Sequence, residues 1–258
     1  MKLVTWNVNS VRARFENLQN FLQREQPDIV CLQEIKCQDH QFPAEDIEDL
    51  GYNIALHGQK SYNGVAVLSK YPLSDVEKGL PGFDDEQARF ITADISIQDK
   101  MVHIVNCYMP NGNPRPGPKF DYKIAWMQAL ISYIRNLRDE EVPFILCGDF
   151  NIIPKTIDVH DPAAWADDAL YMPEIINFFN ELIYMGLVDT VRHFNPHDPA
   201  YSFWDYQGRA REKNHGIRID HILPSPEVIG YVQKAYIIDS ERDTAKASDH
   251  APVALEAF

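Results

Sequence analysis

The chain has 258 residues, of which 45% are hydrophobic and 24% are charged, and its formal net charge is −14 at pH 7. This composition is typical of a globular protein with enough apolar residues for a large core. No apolar run is long enough to cross a bilayer, and the N-terminal stretch MKLVTWNVN does not have the pattern of a signal peptide. We therefore expect a cytoplasmic, monomeric protein that forms a single domain over residues 1–258 and has no membrane partner.

Runs rich in Val, Ile and aromatic residues predict strands, because they are bounded by polar, Gly or Pro residues. In chain order they are 2–8, 28–34, 53–57, 64–69, 89–97, 101–109, 143–149, 217–223 and 250–257. Apolar residues at helical spacing predict helices at 14–25, 119–138 and 174–186, the last ending at Gly186, a residue suited to a C-cap. Many strands with a few helices predict sheets packed face to face with helices outside.

The charged residues and the cysteines bear on partners and environment. The acidic excess argues against a polyanionic partner, but basic residues gather in QGRAREKNHGIR (207–218) and RPGPKFDYK (115–123). A local basic surface can bind phosphate, and a divalent metal held by carboxylates would offset part of the negative charge. Because no zinc or CxxC spacing occurs, we expect buried, reduced thiols at all four cysteines. They are Cys31, Cys37, Cys107 and Cys147.

Several predicted strands end at polar residues suited to metal binding or proton transfer. These are Asn7, Glu34, Tyr108, Asp149 with Asn151, and Asp249 with His250; Asp220 lies between apolar residues in IRIDHIL. Catalytic residues often lie at the ends of elements that a rigid scaffold holds. We therefore expect these side chains to converge on one site.

Such a set of carboxylates predicts a bound divalent cation, because uncompensated buried charges are costly. Mg²⁺, with Mn²⁺ able to substitute, takes a few carboxylates and keeps waters and phosphate oxygens as its other ligands. No Cys/His cluster favours zinc. Together with one His and one Tyr, this arrangement suits hydrolysis of a phosphoester.

Each residue also has a simpler structural interpretation. The motif GDFN is short, and Asp is common in turns and helix caps. Residues 249–250 could form a solvated turn, Glu34 could pair with Lys36 or Arg12, and Asp220 could form an ion pair with Arg218. The functional interpretation therefore depends on the repeated placement at strand ends, since structural networks perturb such residues too.

Nine motifs together resemble those of the bacterial exonuclease III family, and the match runs from residue 3 to residue 255. They are TWNVNSVRAR, PDIVCLQEIK, YNGVAVLS, CYMPNG, LCGDFNIIP, GLVDTVRHFNP, SFWDYQGRA, GIRIDHIL and SDHAPV. That family comprises Mg²⁺-dependent DNA repair nucleases, often apurinic/apyrimidinic endonucleases, within the endonuclease/exonuclease/phosphatase superfamily. The resemblance implies a four-layered, DNase I-like α/β sandwich, with two mostly antiparallel β-sheets packed face to face and helices outside.

The resemblance also implies a metal-binding group of residues. In it Glu34 would be the principal Mg²⁺ ligand, with Asn7 beside it and Asp249 at the edge of the metal site. Asp149 would orient or deprotonate the attacking water and could touch the metal. Asn151 would help to hold that water, the metal or the phosphate.

A second implied group binds the scissile phosphate. Tyr108 and Asn111 would contact it directly. Asp220 would orient His250, whose imidazolium would hydrogen-bond the phosphate, in keeping with the usual role of a carboxylate next to a histidine.

The motifs SFWDY and GIRID imply an apolar pocket for a flipped, baseless deoxyribose. Its residues would be Phe203, Ile217 and Ile219, with Arg218 as a further substrate contact. An abasic nucleotide has already lost stacking and pairing, so its extrusion costs less. The alternative is that these residues and Trp204 are ordinary core, since Ile217 and Ile219 have the spacing of a half-buried strand.

Two features depart from the family pattern. Asn9 stands where some members have Asp, which affects an outer metal contact. The motif Phe-Leu-Pro-Glu-Glu is replaced by Tyr-Met-Pro-Glu-Ile at 171–175, close to the implied substrate pocket. We expect the altered segment 155–173 to narrow that pocket and to favour the trimming of 3′ ends.

We therefore expect an enzyme that hydrolyses phosphodiester bonds in double-stranded DNA bearing abasic sites or 3′ blocking groups. Its expected activities are 3′→5′ exodeoxyribonuclease, 3′-phosphatase and abasic-site endonuclease in base excision repair. One alternative is a phosphoinositide or lipid phosphodiesterase, against which SFWDYQGRA and GIRID argue. A second is a non-catalytic binding module, whose signature would be loss of Asp149, Asn151 or His250, all of which are present.

Overall fold

The structure is a computed structural model that describes residues 1–258. Its strands are β1 (Lys2–Asn7), β2 (Ile29–Gln33), β3 (Asn53–His57), β4 (Val65–Ser69), β5 (Ser74–Lys78), β6 (Phe90–Ile97), β7 (Lys100–Tyr108), β8 (Phe144–Asp149), β9 (Asp220–Pro224), β10 (Val232–Ile237) and β11 (Val253–Ala257). Its α-helices are α1 (Phe15–Glu25), α2 (Ala44–Glu48), α3 (Pro118–Asp139), α4 (Pro173–Tyr184), α5 (Thr190–Phe194) and α6 (Pro226–Ile229). None of these helices combines the length and hydrophobicity that a membrane crossing needs.

The strands form two mixed, mostly antiparallel sheets. The order is β10-β11-β1-β2-β4-β3 in one sheet and β5-β6-β7-β8-β9 in the other. The neighbours β1 and β2 are parallel, as are β7 and β8. Since parallel neighbours run in one direction, the C-terminal ends of each pair lie at the same edge of their sheet. β9 and β11 are antiparallel to β8 and β1, so they begin at those edges.

The two sheets pack face to face over a shared apolar core, which joins Leu3 of β1 to Ile104 of β7. On the outer face of the first sheet, α1 packs through Phe21. On the outer face of the second sheet, α3 and α4 pack through Trp126 and Phe179. The predicted four-layered α/β sandwich is therefore confirmed, and the four cysteines are free and buried as expected.

The C-terminus of α4 has the predicted glycine cap. Gly186 adopts a φ of 97°, in the left-handed region that favours glycine. Its N–H donates to the carbonyl of Ile183 at 2.9 Å, and the N–H of Leu187 donates to that of Leu182 at 3.3 Å. These two bonds form a Schellman motif, which satisfies carbonyls at the helix end.

The structure differs from the sequence prediction chiefly at four strands, one of which is β11, which begins at Val253 and not at residue 250. β5 and β10 were not predicted, and all five residues of β5 are exposed at a sheet edge. β9 begins only at Asp220, whereas the predicted strand began at residue 217. Instead, Ile217 forms isolated bridges with Val159 and Phe203, and its neighbour Arg218 belongs to a buried ion network.

Candidate active site

Strand-end residues from both sheets line one cavity of about 260 Å³. Of the site residues predicted from the sequence, it contains Glu34, Tyr108, Asn111, Asp149, Asn151, Phe203, Ile217, Ile219, Asp249 and His250. Trp204 instead lines a separate cavity of about 320 Å³ and is almost fully buried, so its interpretation as core is correct. The expected convergence of strand ends is thus observed.

Strand register explains how β7, β8 and β9 bring their polar residues together. Tyr108 lies opposite Asp149 across the parallel pair, and Asp149 lies opposite Asp220 across the antiparallel pair. Gly148 precedes Asp149 with a φ of 145°, and a Cβ there would lie 1.9 Å from the carbonyl oxygen of Cys107. Only glycine fits at this position, and it permits the close approach of the two strands beside the Asp149 carboxylate.

Asp220 and His250 form a buried, hydrogen-bonded pair. The Nδ1 atom of His250 lies 2.9 Å from Oδ2 of Asp220, and the Ser202 hydroxyl donates to the same oxygen at 2.6 Å. Burial disfavours the imidazolium, but the carboxylates of Asp220 and Asp149 outweigh it and raise the pKa of His250 to about 10. The edge of the Phe203 ring packs against the imidazole, with centroids 4.9 Å apart. His250 is therefore a fixed cation whose Nε2 lies 3.8 Å from Oδ2 of Asp149.

Asn7 links the carboxylates of the two sheets. Its Nδ2 donates to Oε1 of Glu34 and to Oδ2 of Asp149, each at 2.9 Å, while its Oδ1 accepts the N–H of Asn9 at 3.0 Å. In this arrangement the amide NH₂ of Asn7 faces the two carboxylates, and its predicted role as a metal ligand stays a prediction. Burial raises the pKa of Asp149 to about 7, and the negative charges of Asp220 and Glu34 add to this effect, whereas His250 opposes it.

Glu34 lies at the more open side of the cavity. Its Oε2 pairs with the Lys36 ammonium at 2.7 Å, in agreement with the structural interpretation of this residue. Burial acts against its ionisation, but Lys36 and the Asn7 amide outweigh burial and lower the pKa of Glu34. Lys36 also donates to Asn9, whose amide donates to Asp249 at 2.9 Å. Asn9 thus connects the carboxylates of Glu34 and Asp249.

Asn151 is held in one orientation at the floor of the cavity. Its backbone N–H donates to Oδ1 of Asp149 at 2.9 Å, and its side-chain NH₂ donates to the carbonyl of Met109 at 2.9 Å. Asn111 donates to its Oδ1 at 3.1 Å. Burial, followed by the nearby charge of Glu34, raises the pKa of Tyr108, so its hydroxyl stays protonated and can donate.

The donor set of the cavity fits a hard divalent cation. Atoms of Asp149, Asp220 and His250 lie within 4.8 Å of one another, and Oδ1 of Asp220 is buried without a hydrogen-bond partner. Because His250 is protonated, it has no lone pair to offer to a metal. The oxygens of Glu34, Asp149 and Asp249 are the ligands that a hard cation prefers. Lys36 offsets part of this charge at Glu34, but no lysine or arginine lies among the residues that line the cavity itself.

This strand-end site on a two-sheet sandwich matches a known family. The model of the Endonuclease/Exonuclease/phosphatase family matches residues 4–250. The chain belongs to this family. Exodeoxyribonuclease III of Haemophilus influenzae is 34% identical to it over 265 residues, with 99% of each chain covered.

Solved structures of family members resemble the chain over its whole length. The 3′ phosphatase NExo from Neisseria, solved with a product DNA hairpin, is 37% identical, with a TM-score of 0.96 over 100% of this chain and 99% of the other. An AP endonuclease from Archaeoglobus fulgidus is 31% identical, with a TM-score of 0.94 over 100% and 99%. The predicted family, fold and enzyme class are confirmed. The relatives named here are DNA nucleases or phosphatases, which favours a nuclease over a lipid phosphodiesterase or a non-catalytic module.

Of the predicted substrate contacts, Arg218 alone does not line the cavity. Its side chain has no exposed surface. Its guanidinium donates to Asp158 at 2.7 and 3.0 Å and to Asp189 at 2.7 and 2.9 Å. The predicted substrate contact is therefore wrong, and so is the ion pair of Arg218 with Asp220. Arg218 instead anchors the segment before β9 that carries Ile217 and Ile219.

The expected basic surfaces are weaker than the sequence indicated. Arg211 forms ion pairs with Asp239 and Asp243. Lys123 is fully buried, and its ammonium donates to the carbonyls of Asn111, Asn151 and Ala169 at 3.1, 2.7 and 3.0 Å. Both side chains are therefore used within the fold.

Five residues of the cavity were not singled out from the sequence. They are Asn113, Trp165, Asp168, Leu170 and Asp205. Three of these, Trp165, Asp168 and Leu170, lie in the segment 155–173. The departure of this segment from the family pattern was the sequence feature that could have indicated them. Ser202 was also missed, because a lone serine at the start of SFWDY carries no pattern that indicates a bond to Asp220.

Proposed function

We propose that the protein is a Mg²⁺-dependent DNA repair nuclease that hydrolyses phosphodiester and phosphomonoester bonds at the 3′ ends of double-stranded DNA. The observation that carries this proposal is the buried imidazolium of His250, fixed by Asp220 and facing the carboxylate of Asp149 across 3.8 Å. Such a site offers a positive hydrogen-bond donor to a phosphate and a carboxylate to water in one cavity. The activities of the relatives support the choice of DNA as substrate.

On this proposal, His250 and Tyr108 bind the phosphate. The Nδ1–H of His250 is held by Asp220, so its Nε2–H is directed into the cavity and donates to a phosphate oxygen. Tyr108 donates its hydroxyl to the same group, and the amide of Asn111 borders it. These donors are positioned before the substrate arrives, which favours the charge that develops on the phosphoryl oxygens in the transition state.

Asp149 and Asn151 handle the attacking water. Asn7 and the N–H of Asn151 fix both oxygens of Asp149, so the carboxylate can orient a water and accept its proton. Its raised pKa, about 7, makes it a better proton acceptor than an exposed aspartate once it is ionised. Asn151, itself fixed by Met109 and Asn111, holds the water or the phosphate in place.

Glu34, Asp149 and Asp249 would hold the Mg²⁺, and Mn²⁺ could substitute for it. When bound, the cation supplies positive charge that stabilises the phosphoryl oxygens. Asn7 acts as the hydrogen-bond donor that keeps Glu34 and Asp149 at a fixed separation. Phe203, Ile217 and Ile219 form the apolar side of the cavity, suited to a sugar without a base. Incision at abasic sites belongs to the same proposal as a secondary activity.

The test uses three labelled duplexes, one with a 3′-phosphate, one with a recessed 3′-hydroxyl and one with an internal abasic analogue, together with an inositol phosphate. The wild-type protein should release phosphate from the first duplex and hydrolyse no inositol phosphate. Asp149→Asn, which keeps the shape of the side chain, should lose the activity. Hydrolysis of the inositol phosphate with no action on any DNA would overturn the proposal.

A further inference from the structure

One wall of the active-site cavity comes from the irregular segment 159–172. Trp165 and Leu170 of this segment line the cavity and pack against the apolar cluster that contains Ile217 and Ile219. Leu170 is almost fully buried, whereas Trp165 is partly exposed at the mouth. The largest side chain of the apolar side is therefore supplied by a segment outside the two sheets.

Contacts at both ends hold this segment in place. At its start, the N–H of His160 donates to the carbonyl of Gly216 at 3.1 Å. At its end, Lys123 donates to the carbonyl of Ala169 at 3.0 Å, and the N–H of Ile153 donates to that of Leu170 at 2.9 Å. These contacts fix the backbone at both ends of the segment that carries Trp165.

The same segment also places negative charge in the cavity. Oδ1 of Asp168 accepts hydrogen bonds from the Asn113 amide at 3.1 Å and from the N–H of Leu170 at 2.9 Å, which fixes the carboxylate. Asp205 lines the same cavity. Asp168 and Asp205 therefore add negative charge that disfavours a further phosphate beyond the one that His250 binds.

We propose that Trp165 and Asp168 determine substrate choice, favouring a terminal 3′-phosphate over a phosphate that is followed by a baseless sugar within the strand. The inference rests on the proposed function. In each reaction the oxygen of water bonds to phosphorus, the bond from phosphorus to the 3′ oxygen of DNA breaks, and that oxygen takes up a proton. The substrates differ in what remains on the phosphate: nothing further for a 3′-phosphate, and a baseless sugar with its next phosphate for an internal abasic site. Trp165 takes up the space for that sugar, and Asp168 repels its next phosphate.

The test compares kcat/KM for two duplexes of the same sequence, one ending in a 3′-phosphate and one with an internal abasic analogue. The wild type should prefer the first. Trp165→Ala should shift the ratio toward the abasic duplex by about tenfold or more, because the size of a pocket typically discriminates by that factor. Asp168→Asn, which keeps the acceptor for Asn113 and Leu170, should shift it in the same direction and more strongly at low salt.

Tyr184→Ala is the matched control, since Tyr184 is a highly exposed aromatic on α4 that does not line the cavity; its ratio should equal that of the wild type. An unchanged ratio in both Trp165→Ala and Asp168→Asn, with 3′-phosphate removal retained, would overturn the inference. If Trp165→Ala loses activity on both duplexes, Trp165→Phe tests the claim that Trp165 fills the space for the sugar. A kcat/KM ratio shifted toward the abasic duplex supports that claim, and a wild-type ratio contradicts it. Absence of 3′-phosphate removal by the wild type would instead contradict the proposed function.

Discussion

At the scale of single residues, His250 and Asp220 act as one unit. The carboxylate fixes Nδ1 at 2.9 Å and, with Asp149, keeps the ring charged. We expect Asp220→Ala and His250→Ala each to lower kcat by about 10²–10³-fold, the range for loss of one preorganised donor. The double variant should lose little more than the worse single variant, because both changes remove the same oriented cation. Losses that add in free energy would show that the two residues act independently.

The charge of His250 can be observed directly. Its pKa of about 10 means that the ring should remain protonated at pH 8 in the wild type. In Asp220→Asn the pKa of His250 should fall, because the negative charge that most stabilises its protonated form has been removed. An NMR titration of the His250 ring resonances measures both values, and the same midpoint in the two proteins would contradict the assignment of Asp220 as the main partner.

At the scale of elements, a buried ion network joins the 3₁₀ turn Thr156–Asp158 to α5 and to the residues before β9. Asp158 has no exposed side-chain surface and accepts from both Arg192 and Arg218. Asp158→Ala leaves two buried guanidiniums without this partner, so it should lower the free energy of unfolding by about 3–5 kcal/mol. The control is Arg135→Ala, which breaks an exposed pair with Glu181 and should cost about 1 kcal/mol or less.

Urea unfolding of both variants provides the measurement. Equal losses of stability in Asp158→Ala and Arg135→Ala would contradict a structural role of the network. A further consequence concerns the cavity, because Arg218 lies between Ile217 and Ile219. Asp158→Ala should therefore also raise KM for DNA more than Arg135→Ala does.

The elements also show what the sequence can predict. β2 and β8 were predicted because they are apolar on both faces, and their polar ends are visible as an abrupt change of residue type. β5 was missed, because SDVEK has no apolar residue facing a core. The orientation of Asn7 could not be predicted, since it depends on Glu34 and Asp149, which are 27 and 142 residues away. Likewise, no helical or strand periodicity in the sequence predicts that Trp165 lines the cavity. Its position depends on contacts between its segment and residues that are distant in the sequence.

At the scale of the whole molecule, stability should depend on pH through His221. Arg218 donates to its Nδ1 at 3.0 Å and its Nε2 lies 3.0 Å from the carbonyl of Ile152, so the ring is neutral. Burial, followed by the charge of Arg218, lowers the pKa of His221 from 6.5 to about 4. Between these two pKa values the unfolded chain binds more protons than the folded one. The contribution of the neutral His221 ring to the free energy of unfolding is therefore complete above pH 6.5 and is lost as the pH falls toward 4.

This predicts a difference between the wild type and His221→Gln, a variant that cannot titrate. Between pH 7 and pH 5, the wild type should lose about 2 kcal/mol of unfolding free energy more than the variant, from the pKa difference of this one group. Urea unfolding at the two pH values measures it. A pH dependence identical in the two proteins would show that His221 is not responsible.

On the proposed function, a bound cation assists His250 in holding a phosphate at the acidic cavity of this molecule, whose net charge is −14. The most direct test is therefore the rate of 3′-phosphate release from duplex DNA, measured over a Mg²⁺ titration and then in excess EDTA. We predict activity that depends on Mg²⁺, that disappears in EDTA and returns when Mg²⁺ is restored, and that needs a much higher Mg²⁺ concentration in Glu34→Ala, because one hard ligand is lost. Full activity of the wild type in excess EDTA would contradict the account.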